Sequence, residues 1–137
     1  LTLFLGYGCD RDPALLDREN CDQSFSLGDT IDLRFGERQC DPSENIAIEF
    51  TSFLDGRCPF GVLCITEGNA EVSLEFATTH GERDIVLNTS KANDLKRRIL
   101  MDNYFVELVE LNPLQPNGIK TPPSSYSAKI FIDKKKP

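Results

Sequence analysis

The sequence predicts an all-β fold, an immunoglobulin-like antiparallel β-sandwich of about seven strands, on three observations. Apolar and polar residues alternate with a period of two in several short runs, turn-forming residues separate those runs, and no strand–helix–strand rhythm is present. A small closed β-barrel is the alternative, because alternation does not distinguish one sheet closed on itself from two sheets stacked face to face. The chain has 137 residues, 39% of them hydrophobic, enough for a single domain with a real core.

Taken in order, Phe25 and Leu27 form a first short strand, and Gly28-Asp29 turns the chain into a second in which Ile31, Leu33 and Phe35 share one face. Ile46 to Phe50 alternates strictly, as does Ala70 to Phe76 with its acids on the opposite face. Asp84 to Asn88, Tyr104 to Leu111 and Ser127 to Asp133 complete the set. Lys91 to Met101 breaks the rule: Leu95 and Ile99 lie four apart with basic residues between them, which predicts a short helical turn. Asn112 to Ser125 carries four prolines, which cannot donate ladder hydrogen bonds, so it is a long surface loop joining the last two strands.

Acidic residues number 22 against 15 basic, a net charge of -7 that repels phosphate backbones and argues against a nucleic-acid partner. One histidine and no tryptophan leave little material for acid–base chemistry near neutral pH. His80 lies in a turn-rich stretch without convergent partners, so a solvated histidine is expected. The carboxylate pairs Glu71 with Glu75 and Glu107 with Glu110 fall on strands as solubility charges, and the basic runs Lys96-Arg97-Arg98 and Lys134-Lys135-Lys136 read as solvated. Asn88-Thr89-Ser90 matches a glycosylation sequon by chance spacing. These residues predict no catalytic site, no metal and no cofactor.

The N-terminus speaks to compartment. Leu1 to Leu5 is an apolar run too short to span a bilayer, followed by Gly6, Tyr7, Gly8 and Cys9 and then an abrupt acidic turn. Residues 1–8 read as the end of a signal peptide, and Gly8 before Cys9 resembles a bacterial lipobox, which implies a lipid on Cys9 as the only membrane attachment. Leu5, Gly6 and Tyr7 depart from the usual pattern. The other reading is that Leu1 to Leu5 form a first strand and Cys9 pairs with a second cysteine. Residues 9–23 are polar and acidic and read as a tether, with residues 24–137 as the sandwich domain. The aspartates in the tether lack the glycine and distal glutamate of a calcium loop.

Without Cys9 four cysteines remain, and four permit three pairings. Cys58 and Cys64 enclose a short segment with Pro59 and Gly61, so the chain can turn and bring the two within disulfide reach; Cys21 with Cys40 follows by elimination. Disulfides place the protein in an oxidising bacterial envelope or outside the cell. Zinc needs tighter spacing or a nearby histidine, and neither is present.

From Asp55-Gly56-Arg57-Cys58-Pro59 through Val62-Leu63-Cys64 to the strand at Ala70, the chain resembles a family of small bacterial secreted and lipoprotein β-sandwich domains with a D-x-R-C-P-x-x-V-x-C motif. Gly56 stands where that family has serine, and Thr66 where tryptophan is common. The likeness extends more weakly to Leu111-Asn112-Pro113 and the strand after Tyr126. It implies the fold and the compartment and carries no known activity. Read physically, Asp55, Arg57 and Phe60 beside the disulfide are a candidate recognition loop, with Asp55 and Arg57 alternatively a local ion pair holding the hairpin. Leu114 and Ile119 in the proline loop are placed for partner contact. The expected function is an envelope-anchored binding module for an unidentified protein or envelope component; the alternative is a secreted hydrolase inhibitor that uses its disulfide-rigidified loop.

Overall fold

A computed structural model describes residues 21–136. The expected signal-peptide end, Cys9 and all but the last three residues of the expected acidic tether lie outside the described residues. Nine strands form two sheets: β1 (Gln23–Ser24), β2 (Thr30–Arg34), β3 (Arg38–Asp41), β4 (Ile46–Arg57), β5 (Gly68–Thr78), β6 (Gly81–Asn88), β7 (Arg98–Met101), β8 (Tyr104–Asn112) and β9 (Ser127–Lys134). One sheet has the order β1-β3-β4-β5-β6 and the other β2-β9-β8-β7, with every pairing antiparallel except the short β1–β3 contact.

The alternating runs become the two inner faces. Ile46, Ile48 and Phe50 of β4, with Val72, Leu74 and Phe76 of β5, meet Val106 and Leu108 of β8 and Ala128, Ile130 and Ile132 of β9 in one buried core. Burying an aliphatic or aromatic side chain of this kind contributes on the order of 1.5–3 kcal/mol, so the core dominates the stability of the domain. Phe35 meets Phe50 and Phe53 edge-on, with ring centroids 5.4 and 5.5 Å apart, and fills the corner where β2 leaves one sheet for the other.

The two-sheet sandwich is as the alternation predicts. Strands β3 to β6 follow one another as a meander in one sheet and β7 to β9 in the other, while β2 leaves its sequence neighbours β1 and β3, which pair with each other, and lies beside β9. Backbone hydrogen bonds seal two corners, which brings the sandwich partway to the barrel alternative. At β2–β3, the Phe35 N–H donates to Tyr126 O (3.0 Å) and the Gly36 N–H to Phe50 O (2.8 Å). At β6–β7, the Asn88 N–H donates to Lys96 O and the Leu108 N–H to Arg97 O, both at 2.7 Å. Pairing at these corners protects sheet edges that otherwise invite non-native strand addition.

Two differences from the sequence expectation have physical causes. The helical turn expected over Lys91 to Met101 is only a 3₁₀ turn at Ala92–Asp94; Arg98–Met101 is strand β7, half-burying Ile99 and Met101 while Arg98 and Leu100 face out. The pair Leu95 and Ile99 fits either period, and pairing with β8 decides it. Strand β3 has no apolar alternation because its inward residues are polar and bonded to one another. The Glu37 carboxylate accepts from the Arg34 N–H (2.8 Å) and from Gln23 and Gln39 side-chain amides (3.0 and 3.2 Å), and the Gln39 amide also donates to Asp32 O across the sheets (2.8 Å).

Candidate functional site

Both expected disulfides are present. Cys21 bonds Cys40 and Cys58 bonds Cys64, with Cα atoms 5.9 and 6.0 Å apart. The first packs with Ala47 and Ala77 on the outer face of the sheet and fixes the chain's entry to β3. The second closes a loop at the tip of the β4–β5 hairpin. These bonds are compatible with an extracellular or envelope location.

Below that tip, Asp55 and Arg57 form an ion pair. Past a β-bulge at Phe50/Ser52, Phe53, Asp55 and Arg57 turn inward. The guanidinium donates twice to the Asp55 carboxylate (Nε to Oδ1 2.8 Å, Nη2 to Oδ2 2.9 Å), the forked geometry that suits arginine to carboxylate. Its remaining reach goes to Leu111 O (2.6 Å) and Pro113 O (2.7 Å), on either side of the cis Asn112–Pro113 peptide. The buried Tyr126 hydroxyl donates to Asp55 Oδ2 at 2.8 Å, and its ring stacks on Phe53 at 4.2 Å. With side chains only 8% and 13% exposed, Asp55 and Arg57 are committed to holding the proline loop against the hairpin. Burial opposes the charge on Asp55, but the bonds from Arg57 and Tyr126 outweigh it and hold the carboxyl below its ordinary value. The same burial, reinforced by Asp55, pushes the Tyr126 phenol up.

Gly68 closes the hairpin with φ +74°, where any Cβ would collide with the Gly56 carbonyl oxygen. Next to it the Cys58 N–H donates to Glu67 O at 2.8 Å. Within the loop the Val62 N–H donates to Pro59 O, and the Phe60 N–H crosses to Gln115 O of the proline loop at 3.0 Å, beside a Phe60–Pro116 bridge. Of the three residues expected to make the recognition loop, only Phe60 projects from the surface, 70% exposed. Leu63 and Ile65 stand clear of the protein at 102% and 103%, and Leu114 and Ile119 are exposed on the neighbouring loop. Leu114 and Ile119 were visible in sequence; Leu63 and Ile65 were missed, although apolar residues within and just beyond the disulfide ring were the available signal.

Other groups singled out by sequence have structural positions. Arg97 donates to Thr89 O (2.8 Å) and Val109 O (2.7 Å) at the β6–β7 corner, and Arg98 lies 3.9 Å over the Phe105 ring. Asn88 is buried, its amide donating to Lys96 O, so the sequon faces inward. Arg38 bridges Glu49 and Glu75 at 3.4 and 3.3 Å on the outer sheet face. His80 is exposed on the β5–β6 hairpin at the opposite end from the disulfide tip, near Glu44, whose carboxyl is held low by bonds from Lys134 (2.9 Å) and Tyr104 (2.8 Å). A cleft of about 570 Å³ beside the tip is lined by Asn69, Thr89, Ser90 and Arg97, whose polar groups are bonded to one another or to backbone. Among the described residues no cluster of His, Cys, Asp or Glu is placed to hold a metal ion, and no helix is long and apolar enough to cross a membrane. Comparison with protein-family models, curated proteins and solved structures returns no match.

Proposed function

We propose that this protein is an interaction module of the bacterial envelope or its exterior, without catalysis of its own, that engages a partner through the joined tip of its disulfide and proline loops. The observation carrying this reading is the pairing of two loops, distant in sequence, into one exposed apolar end. Soluble domains rarely leave such a surface in water unless it is used. The shifted ionisable groups support it from the other side, since Asp55, Tyr126, Glu44 and Tyr104 are each committed to a bond within the fold. Lipid on Cys9 would anchor the module through the acidic segment. Mass spectrometry of protein made from its natural gene tests the anchor: an acylated Cys9 at the mature N-terminus supports it, and an unacylated N-terminus elsewhere removes it.

A hydrolase inhibitor is the second reading, favoured by the disulfide-closed, convex form of the loop, which lowers the ordering cost of entering a cleft. Assays of proteases and cell-wall hydrolases with excess protein decide it: slowed turnover of one enzyme supports inhibition, and unchanged rates throughout dismiss it.

A further inference from the structure

We infer that the tip is a preformed knob for an uncharged, apolar cleft on a partner protein, presented at the pole opposite the one where the chain enters the domain. This rests on the interaction-module reading and names what that module fits.

Residues 58–66 and 113–119 contain no charged side chain, and the two loops carry one charge of each sign, Glu67 and Lys120, at their ends, in a chain with net charge -7. Of the two cations beside the tip, Arg57 spends its donors on Asp55, Leu111 O and Pro113 O, while Lys120 is exposed next to Ile119. A bilayer is a poor match for this end. Protein loops bind lipid surfaces through apolar burial helped by cations against anionic headgroups, and here Arg57 is withheld, the single exposed Lys120 stands against an exposed Glu67, and the net charge is repulsive. A second copy is a poor match too, because tip-to-tip contact would bring together two chains of the same net charge, each with an exposed Glu67 at the rim. A protein cleft gains from what this tip has. A disulfide, a cross-loop hydrogen bond and the Arg57 clamp hold the loop backbone that presents Phe60 and Leu63, with Ile65 one residue past the ring, and a preset backbone helps most against a receptor of fixed shape.

Position adds direction. Cys21 is bonded to Cys40, which pairs with Ala47, and Ala47 lies ten residues along β4 from Arg57. At roughly 3.3 Å per strand residue the entry point and the tip are about 30 Å apart, at opposite ends of one strand. Whatever holds the chain through residue 21 therefore holds it by the base, and the tip faces away.

The test places a photo-crosslinking benzoylphenylalanine in the full chain at position 63, 119 or 86, Val86 being an exposed residue on β6 away from the loops. The chains are irradiated in the cells that make them. Purified chain is also floated with phosphatidylcholine and phosphatidylglycerol vesicles and sedimented over a wide concentration range. The expected result is one and the same protein adduct from positions 63 and 119 and none from 86, with no flotation and a monomer throughout. Adding Ile65→Asp should cut the adduct at least about tenfold, because a carboxylate entering an apolar cleft costs more than the ~1.4 kcal/mol that tenfold represents. Circular dichroism confirms that this variant folds. Flotation, a self-adduct, different adducts from the two loops, or a yield unchanged by Ile65→Asp each overturn the inference. An adduct from 86 alone overturns it while leaving an interaction module that uses another face, and no adduct from any position removes both.

Discussion

Replacing Arg57 by methionine should destabilise the domain far more than removal of a surface charge. Arg57 and Asp55 are nearly buried, and without the guanidinium the Asp55 carboxylate keeps the Tyr126 hydroxyl and the backbone N–H of residue 57 but no charged partner, while the Leu111 and Pro113 carbonyls lose the guanidinium donor. Breaking a buried pair on one side costs about 3–5 kcal/mol, against about 0–1 kcal/mol for an exposed one. Partial exposure of the arginine puts the expectation at about 3 kcal/mol. With a urea slope of about 2 kcal/mol/M for a domain of this size, the unfolding midpoint falls by about 1.5 M at unchanged slope. Arg57→Lys should recover only part of this, since one ammonium cannot serve a carboxylate fork and two separate carbonyls. Asp55→Leu combined with Arg57→Met should lose less than Arg57→Met alone, because no unpaired charge remains. A loss under about 1 kcal/mol for Arg57→Met, or a double variant as unstable as the single one, would refute the clamp.

Four further outcomes follow. Since the Asp55 carboxyl is held below its ordinary value, its contribution is present above the unfolded pKa near 4 and disappears as pH falls through the lower folded value; urea midpoints measured from neutral to strongly acid pH should show that loss, reduced in Asp55→Asn. Tyr104, pushed up to about 12 by burial and by its bond to Glu44, titrates after an exposed tyrosine, so phenolate absorbance should lag at pH 10 and the domain should lose stability between about pH 10 and 12, where only the unfolded chain ionises. Leu63→Asp and Ile65→Asp should shift thermal stability by no more than about 0.5 kcal/mol, whereas Phe50→Ala in the core should cost about 3–5 kcal/mol. Non-reducing peptide mapping should link Cys21 to Cys40 and Cys58 to Cys64, with removal of the smaller ring costing on the order of 2–3 kcal/mol and of the larger somewhat more.

The long ladders were legible in sequence because β4, β5, β8 and β9 alternate over a buried inner face, a one-dimensional pattern that burial writes directly. Glu37, Gln39 and Asp41 were not, since their burial is made tolerable by hydrogen bonds, which leave no hydropathy signal. The strand order was hidden for a similar reason: alternation records which face is inward and not which strand lies alongside. At the tip, the two cysteines and the Asp55–Arg57 spacing could be read locally, as could the exposed proline loop. What joins them could not. Arg57 meets carbonyls 54 and 56 residues away, and Phe60 meets Gln115, contacts that exist only after both sheets have assembled.

The Cys21–Cys40 bond also determines how the domain carries load. Tension arriving along the chain at residue 21, if it had only the two-residue β1 ladder to resist it, would unzip that ladder one pair at a time. The disulfide routes the tension into β3 instead, and from there across its ladder into β4, whose far end forms the tip hairpin. Pulled between base and tip, β3 and β4 slide along their common axis, so their hydrogen bonds share the strain together rather than in succession. The staple converts a weak peeling attachment into a shear joint aligned with the longest strand of the molecule.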